Sequence, residues 1–402
     1  MELAKAPTPA SAGAPREPLG RLFLRFLRFG LLAWGGPVAQ IGLLRDELVE
    51  RERWVTRERF NRALAVYQAL PGPEATELCC YFGMLSRGRI GAVVAGLGFV
   101  LPGFVMIFAL SWVYVRFGVA SPLAAAAFAG AQAAVCALIV RAVHRIGAHA
   151  LHDRWLWAIA LLAAGSQAVG VHFAVPIVLG GLAYAAARLR HWAGLGMVAL
   201  LFAGATAWTL LEEPGATAMT ASAGTEATAG AVFVSGLRGG LLTFGGAYTV
   251  IPFLRRDAVE VGGWMTDAQF LDALALSGIL PAPLIIFGTM VGYLARGALG
   301  ALLMTVGLFL PAFSFTLIGH GFFERVIDDR RLHAFLDGVT AAVVGIIAAT
   351  AVTLTIDAMD SVVAGAIFAA ALATVYLWKS RWAIPAVVLG AGGAGLALLR
   401  NG

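Results

Sequence analysis

The sequence predicts an all-α polytopic membrane protein, with about 13 transmembrane helices set as two inverted six-helix repeats joined by one extra helix. Three observations predict it: a composition too apolar for water, a run of apolar stretches of spanning length, and an internal repeat. Of 402 residues, 60% are hydrophobic and 13% charged, where a soluble domain has about a quarter charged. Mean hydropathy is +0.83, which excludes an ordinary water-soluble enzyme. Cys79, Cys80 and Cys136 are too few for a disulfide scaffold or a multi-thiolate metal site. The net charge of +6 does not point to nucleic acid, because 27 Arg punctuate the apolar runs, as loops facing an anionic inner leaflet do.

A spanning helix needs about 20 mostly apolar residues. Thirteen segments qualify: 22–44, 63–86, 90–115, 124–143, 155–170, 173–189, 194–212, 231–254, 268–294, 298–320, 334–356, 360–378 and 383–399. The fifth and sixth are short enough to form one helical hairpin. Residues 1–20, rich in Pro, Ala and Ser, read as a disordered tail. Arg21, Arg25 and Arg28 interrupt the apolar core that a cleavable signal needs. Residues 21–192 form repeat 1, 193–230 a linking helix and acidic loop, and 231–402 repeat 2. A cytoplasmic amino terminus puts Arg87, Arg89, Arg141, Arg145, Arg154, Arg188 and Arg190 inside. It also puts the acidic stretch with Glu212, Glu213 and Glu226 outside. Loop 45–62 is the exception, since its six Arg fall outside, nearly cancelled by Asp46, Glu47, Glu50, Glu52 and Glu58.

A shift of 210 residues lays 28–73 on 238–283 without a gap, with 20 identities in 46 positions. The matches include Arg28/Arg238, Gly35-Gly36/Gly245-Gly246, Arg45/Arg255, Glu50/Glu260, Trp54/Trp264, Pro71/Pro281 and Pro73/Pro283. After a one-residue deletion come Arg87-Gly88/Arg296-Gly297, Gly91/Gly300 and Leu101-Pro102/Leu310-Pro311. Ala and Leu match by chance in apolar chains; Arg, Trp, Glu and paired prolines in register do not. Seven spans before repeat 2 make it enter from the opposite side, the architecture of transporters that alternate access about a midplane site.

Each repeat opens with Arg, an aromatic residue and a Gly pair, Arg28…Trp34-Gly35-Gly36-Pro37 and Arg238…Phe244-Gly245-Gly246-Ala247. One helix later stand Pro71-Gly72-Pro73 and Pro281-Ala282-Pro283. Each Pro removes an N–H and clashes with the preceding turn, so a break is expected, tolerable in hydrocarbon only where the freed groups face protein, water or ligand. The half-helix beyond a break offers free N–H groups to an anion. Helix packing by the Gly pair is the plainer reading, but recurrence in both copies favours two facing seats. Arg28 and Arg238, inside apolar segments, either snorkel or meet an anion. Glu74 and Glu77 satisfy the half-helix dipole or act as a proton-linked gate.

Trp54 and Trp264 suit an interfacial belt, and Thr56 and Thr266 suit helix N-caps, with Gln269 completing a capping box. Arg45/Arg255 and Glu50/Glu260 read as solvated loop charges. Gly390 to Gly395 matches a dinucleotide fingerprint but lies in the last apolar segment, where small-residue packing explains it. His144, His149 and His152 read as a solvated face without a metal. Asp272, His320 and Asp337 are second-rank candidates for a proton path.

These residues together resemble the chromate ion transporter (CHR) family, in its two-domain, long-chain form. The resemblance rests on Phe29-Gly30…Trp34-Gly35-Gly36-Pro37, Trp54, Phe60, Pro71-Gly72-Pro73, Gly83, Gly91 and Leu101-Pro102. Repeat 2 adds Phe244-Gly245-Gly246, Val250-Ile251-Pro252, Trp264, Pro281 and Leu310-Pro311. Ala247 and Ala282 stand where the family has Gly. The resemblance implies a multi-pass bacterial inner-membrane protein, not an enzyme and without cofactor, that exports chromate and gives resistance. Sulfate is the close analogue of chromate, and uptake of sulfate or another oxyanion is the alternative. The partners expected are the oxyanion and the lipid bilayer, with no nucleic acid; the abundant Gly and Ala also permit a homodimer.

Overall fold

The computed structural model describes residues 13–117, 121–211, 227–244, 246–327 and 330–399, without the side chains of Ala69, Leu210, Arg330 and residues 319–327. Among the described residues all regular structure is helical. Repeat 1 holds α1 (Leu19–Leu31), α2 (Gly36–Leu44), α3 (Arg57–Ala69), α4 (Glu74–Phe117), α5 (Pro122–Ala150), α6 (Arg154–Ala168) and α7 (Ala174–Arg188). Helix α8 (Trp192–Leu211) follows. Repeat 2 holds α9 (Ala229–Leu241), α10 (Ile251–Arg255), α11 (Asp267–Gly278), α12 (Phe287–Ile327), α13 (Arg330–Ala358), α14 (Val362–Leu377) and α15 (Ala383–Leu398). Five stretches are long and apolar enough to cross a bilayer: Glu74–Phe117, Pro122–Ala150, Trp192–Thr209, Leu284–Ile318 and Arg331–Ala358. Leu161, Leu200, Val362 and Leu377 are exposed on the outer face, which suits lipid. This is a multi-pass membrane protein.

The expected spans 22–44, 63–86 and 268–294 are not single rods. Segment 22–44 breaks at residues 32–35, and α2 runs back along α1, so that Arg28 meets Glu47 and Arg25 bonds Glu52. Segment 63–86 breaks at Pro71-Gly72-Pro73. There α3 and the first part of α4 are antiparallel, with Phe60 against Phe82 at 6.3 Å and Arg59 Nε donating to Tyr81 Oη at 3.0 Å. Helix α4 itself folds back at Arg87-Gly88, where Gly88 has φ +62°. Its two arms touch through Gly83 and Gly91: a Cβ on either would lie 2.2 Å from the other's carbonyl oxygen. Gly292, Gly297 and Gly300 repeat the device in α12. Hydropathy reads only how apolar a stretch is, and a hairpin and a rod of equal composition look alike.

The fold-backs bring residues 15–17, 52–54 and 86 to one end of the bundle. Arg25 bonds both Glu17 and Glu52, and Ser86 Oγ donates to the Pro15 carbonyl at 2.6 Å. The chain is therefore fastened from Pro15 onward, short of the expected tail boundary at residue 20. Trp54 is 2% exposed, donating to Glu52 and lying under the Arg25 guanidinium, so it is a core residue rather than part of an interfacial belt. A π-helical turn, Arg45–Arg51, follows α2, and Arg256–Val261 follows α10. Five-residue hydrogen bonding lines up positions i and i+5, so Arg45 pairs with Glu50 and Arg255 with Glu260. These charges are paired in both copies, in contact with solvent as expected at Arg45 and Glu50 and with Arg255 largely buried.

Thr56 and Thr266 cap α3 and α11, the latter with the full capping box to Gln269. The Gly390–Gly395 run lies in α15, where Gly395 packs backbone to backbone on Ala126 and Gly130 of α5. Asp153 caps α6. Burial opposes its charge, but Tyr184 Oη at 2.7 Å and the N–H groups of Leu156 and Trp155 outweigh this and hold its carboxyl below the usual range. A lowered carboxyl stabilises the fold above its unfolded pKa, and that contribution is lost as pH falls through the folded value. Asp153→Ala is expected to cost about 1 kcal/mol at pH 7. Unfolding midpoints taken down a pH series should show the difference shrinking below about pH 4.

Candidate functional site

The breaks of the two repeats converge on a cavity of about 530 Å³. Its inner wall holds Pro37 and Val38 at the start of α2, Gln68 of α3, Glu74 of α4 and Gly246. Arg145 and His149 of α5 line one side; His333, Asp337 and Thr340 of α13 line another. Because α5 ends at Ala150, His149 and His152 stand toward the mouth. A smaller space of about 30 Å³ adjoins it, bounded by Gly35, Gly36, Arg141, Arg145 and Tyr248.

Gly35 and Gly36 take φ +93° and +77°, turning the chain from α1 into α2. A Cβ on Gly35 would sit 3.0 Å from Arg381 Cα, and the loop is held there by Trp34 against Trp382 at 5.0 Å. Gly35 caps α2 with no side-chain bond, so the first-turn N–H groups of α2 have no side-chain acceptor at the cap. Repeat 2 differs. Gly246 leads into a 3₁₀ turn, Ala247–Val250, and α10 is only five residues long. Gly245 lies outside the described residues. The two expected seats are thus unequal, an α-helix end in repeat 1 against a 3₁₀ end, likewise without a side-chain cap, in repeat 2.

The proline brackets break the helices as expected, yet neither bracket lines the cavity. Gly72 (φ +150°) donates its N–H to the Thr243 carbonyl at 2.8 Å, joining repeat 1 to repeat 2. Pro281-Ala282-Pro283 is buried, with Ala282 Cβ 2.6 Å from where a Cβ on Gly103 would lie. The first bracket instead sets Glu74 in the cavity wall. Glu77 is fully buried beside Gly72, and neither carboxylate oxygen has a hydrogen-bond partner among the described residues.

Arg28 and Arg238 do not line either space. Arg28 is 68% exposed and pairs with Glu47 at 3.9 Å; Arg238 is 52% exposed and pairs with Asp257 at 3.3 Å. Each sits on an outward helix face with an acid one hairpin away, so its charge is already met. Arg238 also acts with Arg256 on His172, whose burial and cationic neighbours hold its pKa below the usual range. Sequence reasoning missed Arg141 and Arg145 as site residues by assigning them to a loop. Helix α5 runs seven residues past the expected end at 143, and an i, i+4 spacing of two Arg on one helix face was the available signal.

The opposite end is shut. Asp272 of α11, 3% exposed, accepts from Tyr114 Oη of α4 at 2.6 Å and from Gln132 Nε2 of α5 at 2.8 Å. Gln132 also donates to the Ala268 carbonyl. In the repeat, Asp272 and Gln132 correspond to Arg62 and Thr340, and Thr340 lines the open cavity. Asp337 lies in the same cavity; the His320 side chain is outside the described residues. Among the described residues no three His, Cys, Asp or Glu are placed to hold a metal.

The chromate transporter family profile matches residues 20–189 and 230–396, covering both repeats. The chain is 54% identical over 401 residues to the chromate transport protein of Pseudomonas aeruginosa, covering 98% of this chain and 96% of that one. It is 32% identical to the chromate transport protein of Cupriavidus metallidurans, covering 88% of each. A probable chromate transport protein of Synechococcus elongatus is 31% identical, with 85% of each covered. No solved structure matches the chain. With both halves matched and relatives aligned over nearly their full length, this chain belongs to the chromate transporter family.

Proposed function

We propose that this protein exports chromate from the bacterial cytoplasm across the inner membrane, giving resistance, by alternating access between two inverted repeats. The single observation that carries the reading is the polar cavity, open at one end and lined by Arg145, where helix breaks of both repeats meet. The Tyr114–Asp272–Gln132 cluster closes the other end, as alternating access requires of one state. The course of the chain supports inversion. The second arm of α4 crosses, α5 returns, the α6–α7 hairpin comes back to the Asp153–Tyr184 contact, and α8 crosses once more. Repeat 2 then starts from the far end.

Orientation is supported by the fold-backs. Loop 45–62 returns to the end that holds Ser86 and Arg87, so its six Arg join the other basic residues instead of opposing them. That end is the cytoplasmic one by charge, and the cavity opens toward it. Moving a dianion outward across a membrane negative inside gains about 4.6 kcal/mol per 100 mV. Efflux therefore needs no coupled cation, whereas uptake does.

Inside-out vesicles containing the protein test this with labelled chromate and labelled sulfate. A lumen-positive potential is expected to drive saturable chromate uptake that lumenal chromate stimulates by exchange. Flux without saturation or exchange would indicate a channel. Sulfate accumulation in the opposite orientation, with no chromate flux, would replace export by oxyanion uptake.

A further inference from the structure

We infer that Arg141 and Arg145 of α5 are the anion-holding pair of this cavity, seating one tetrahedral dianion against the open amino end of α2, and that Glu74 is the charge opposing it. The inference deepens the transport reading and rests on it.

The two arginines lie one turn apart on the same face of α5. Arg145 lines both spaces and Arg141 the smaller one. Neither has a hydrogen-bond or ion-pair partner among the described residues, whereas Arg25, Arg28, Arg45, Arg51, Arg57, Arg238 and Arg255 all have acids beside them. Arg141 is half-buried and Arg145 exposed to the cavity, so both guanidinium groups are free to meet an anion there. The planar fork of each matches two oxygens of a tetrahedral oxyanion. Gly36 and Pro37 bound the same space, so the positive end of α2 faces the same point.

Glu74, 8% exposed, lines the larger cavity together with Arg145, whose charge reaches it. Two Arg against the carboxylates of Glu74 and Asp337 leave no net positive charge to balance a dianion. Removing the Glu74 charge leaves the site net positive. In repeat 2 the positions of Arg141 and Arg145 hold Ala349 and Thr353. The protein therefore has one seat, on α5, rather than a mirrored pair.

The test is isothermal titration of chromate, and separately of sulfate, into the purified full-length protein and its variants. Arg145→Gln and Arg141→Gln are each expected to weaken binding at least tenfold. Arg145→Lys, which keeps the charge but loses the fork, should fall between. Glu74→Gln should tighten binding severalfold, a gain that damaged folding does not produce. Arg51→Gln, on an exposed pair with Glu47, should bind as wild type does. Wild-type affinity in both Arg→Gln variants, or a loss confined to Arg28→Ala and Arg238→Ala, overturns the seat while leaving the transport reading intact. A wild-type protein that binds neither anion overturns both.

Discussion

Asp272→Ala is expected to open the end of the bundle that is closed in this structure. The carboxylate accepts two hydrogen bonds, from Tyr114 at 2.6 Å and Gln132 at 2.8 Å, and these tie α11 to α4 and α5. Bonds to a charged group contribute about 1.5–3 kcal/mol each, and truncation leaves a buried hydroxyl and amide without their partner. A loss of roughly 3 kcal/mol shifts an open–closed equilibrium about a hundredfold. The readout is labelling of a cysteine placed at Ala275, a buried position one turn along α11, by a membrane-impermeant maleimide. Labelling should accelerate at least about thirtyfold, and chromate flux should collapse because the end no longer closes. Asp272→Asn retains an acceptor and a donor and should show a smaller effect in the same direction. Unchanged labelling with normal flux would reduce the cluster to ordinary packing.

The fold class and the repeat were legible because charge density and paired Arg, Trp and Pro survive duplication in recognisable register. The breaks were legible too: Gly35-Gly36 and the two brackets interrupt helices where their backbone chemistry demands. The direction of the chain after each break was not, since an apolar hairpin and an apolar rod share one hydropathy profile. The same ambiguity governs loop 45–62, whose Arg oppose the other basic residues only when 22–44 is read as one crossing.

The seat was harder still. A search for repetition rewards residues present in both copies, and so it pointed to Arg28 and Arg238. A substrate that binds once in a pseudo-symmetric fold needs an asymmetric site. Arg141 and Arg145 have no counterparts in α13, so the repeat could not reveal them. Glu74 and Pro37 were named from their proximity to breaks, and the structure does bring them to the cavity wall.

Gly35→Ala and Gly36→Ala separate the structural and functional parts of the turn before α2. Both residues have positive φ, +93° and +77°, so each Ala carries a backbone penalty of roughly 1–2 kcal/mol. Their surroundings differ. A methyl on Gly35 meets Arg381 Cα at 3.0 Å and Arg381 Cβ and Ala39 Cβ at 3.1 Å, and two of these belong to a loop pinned by the tilted Trp34–Trp382 ring contact. Crowding of that kind adds about 1–3 kcal/mol, so Gly35→Ala should lose folded protein, read as a lowered thermal unfolding midpoint in detergent. A methyl on Gly36 meets nothing within 4 Å, and Gly36 bounds the same space as Arg141 and Arg145. Gly36→Ala should keep most of its stability and lose chromate affinity about tenfold, because the anion can no longer approach the amino end of α2. If the Gly36 variant binds chromate as wild type does, the helix end takes no part in holding the anion, and the guanidinium pair must do so alone.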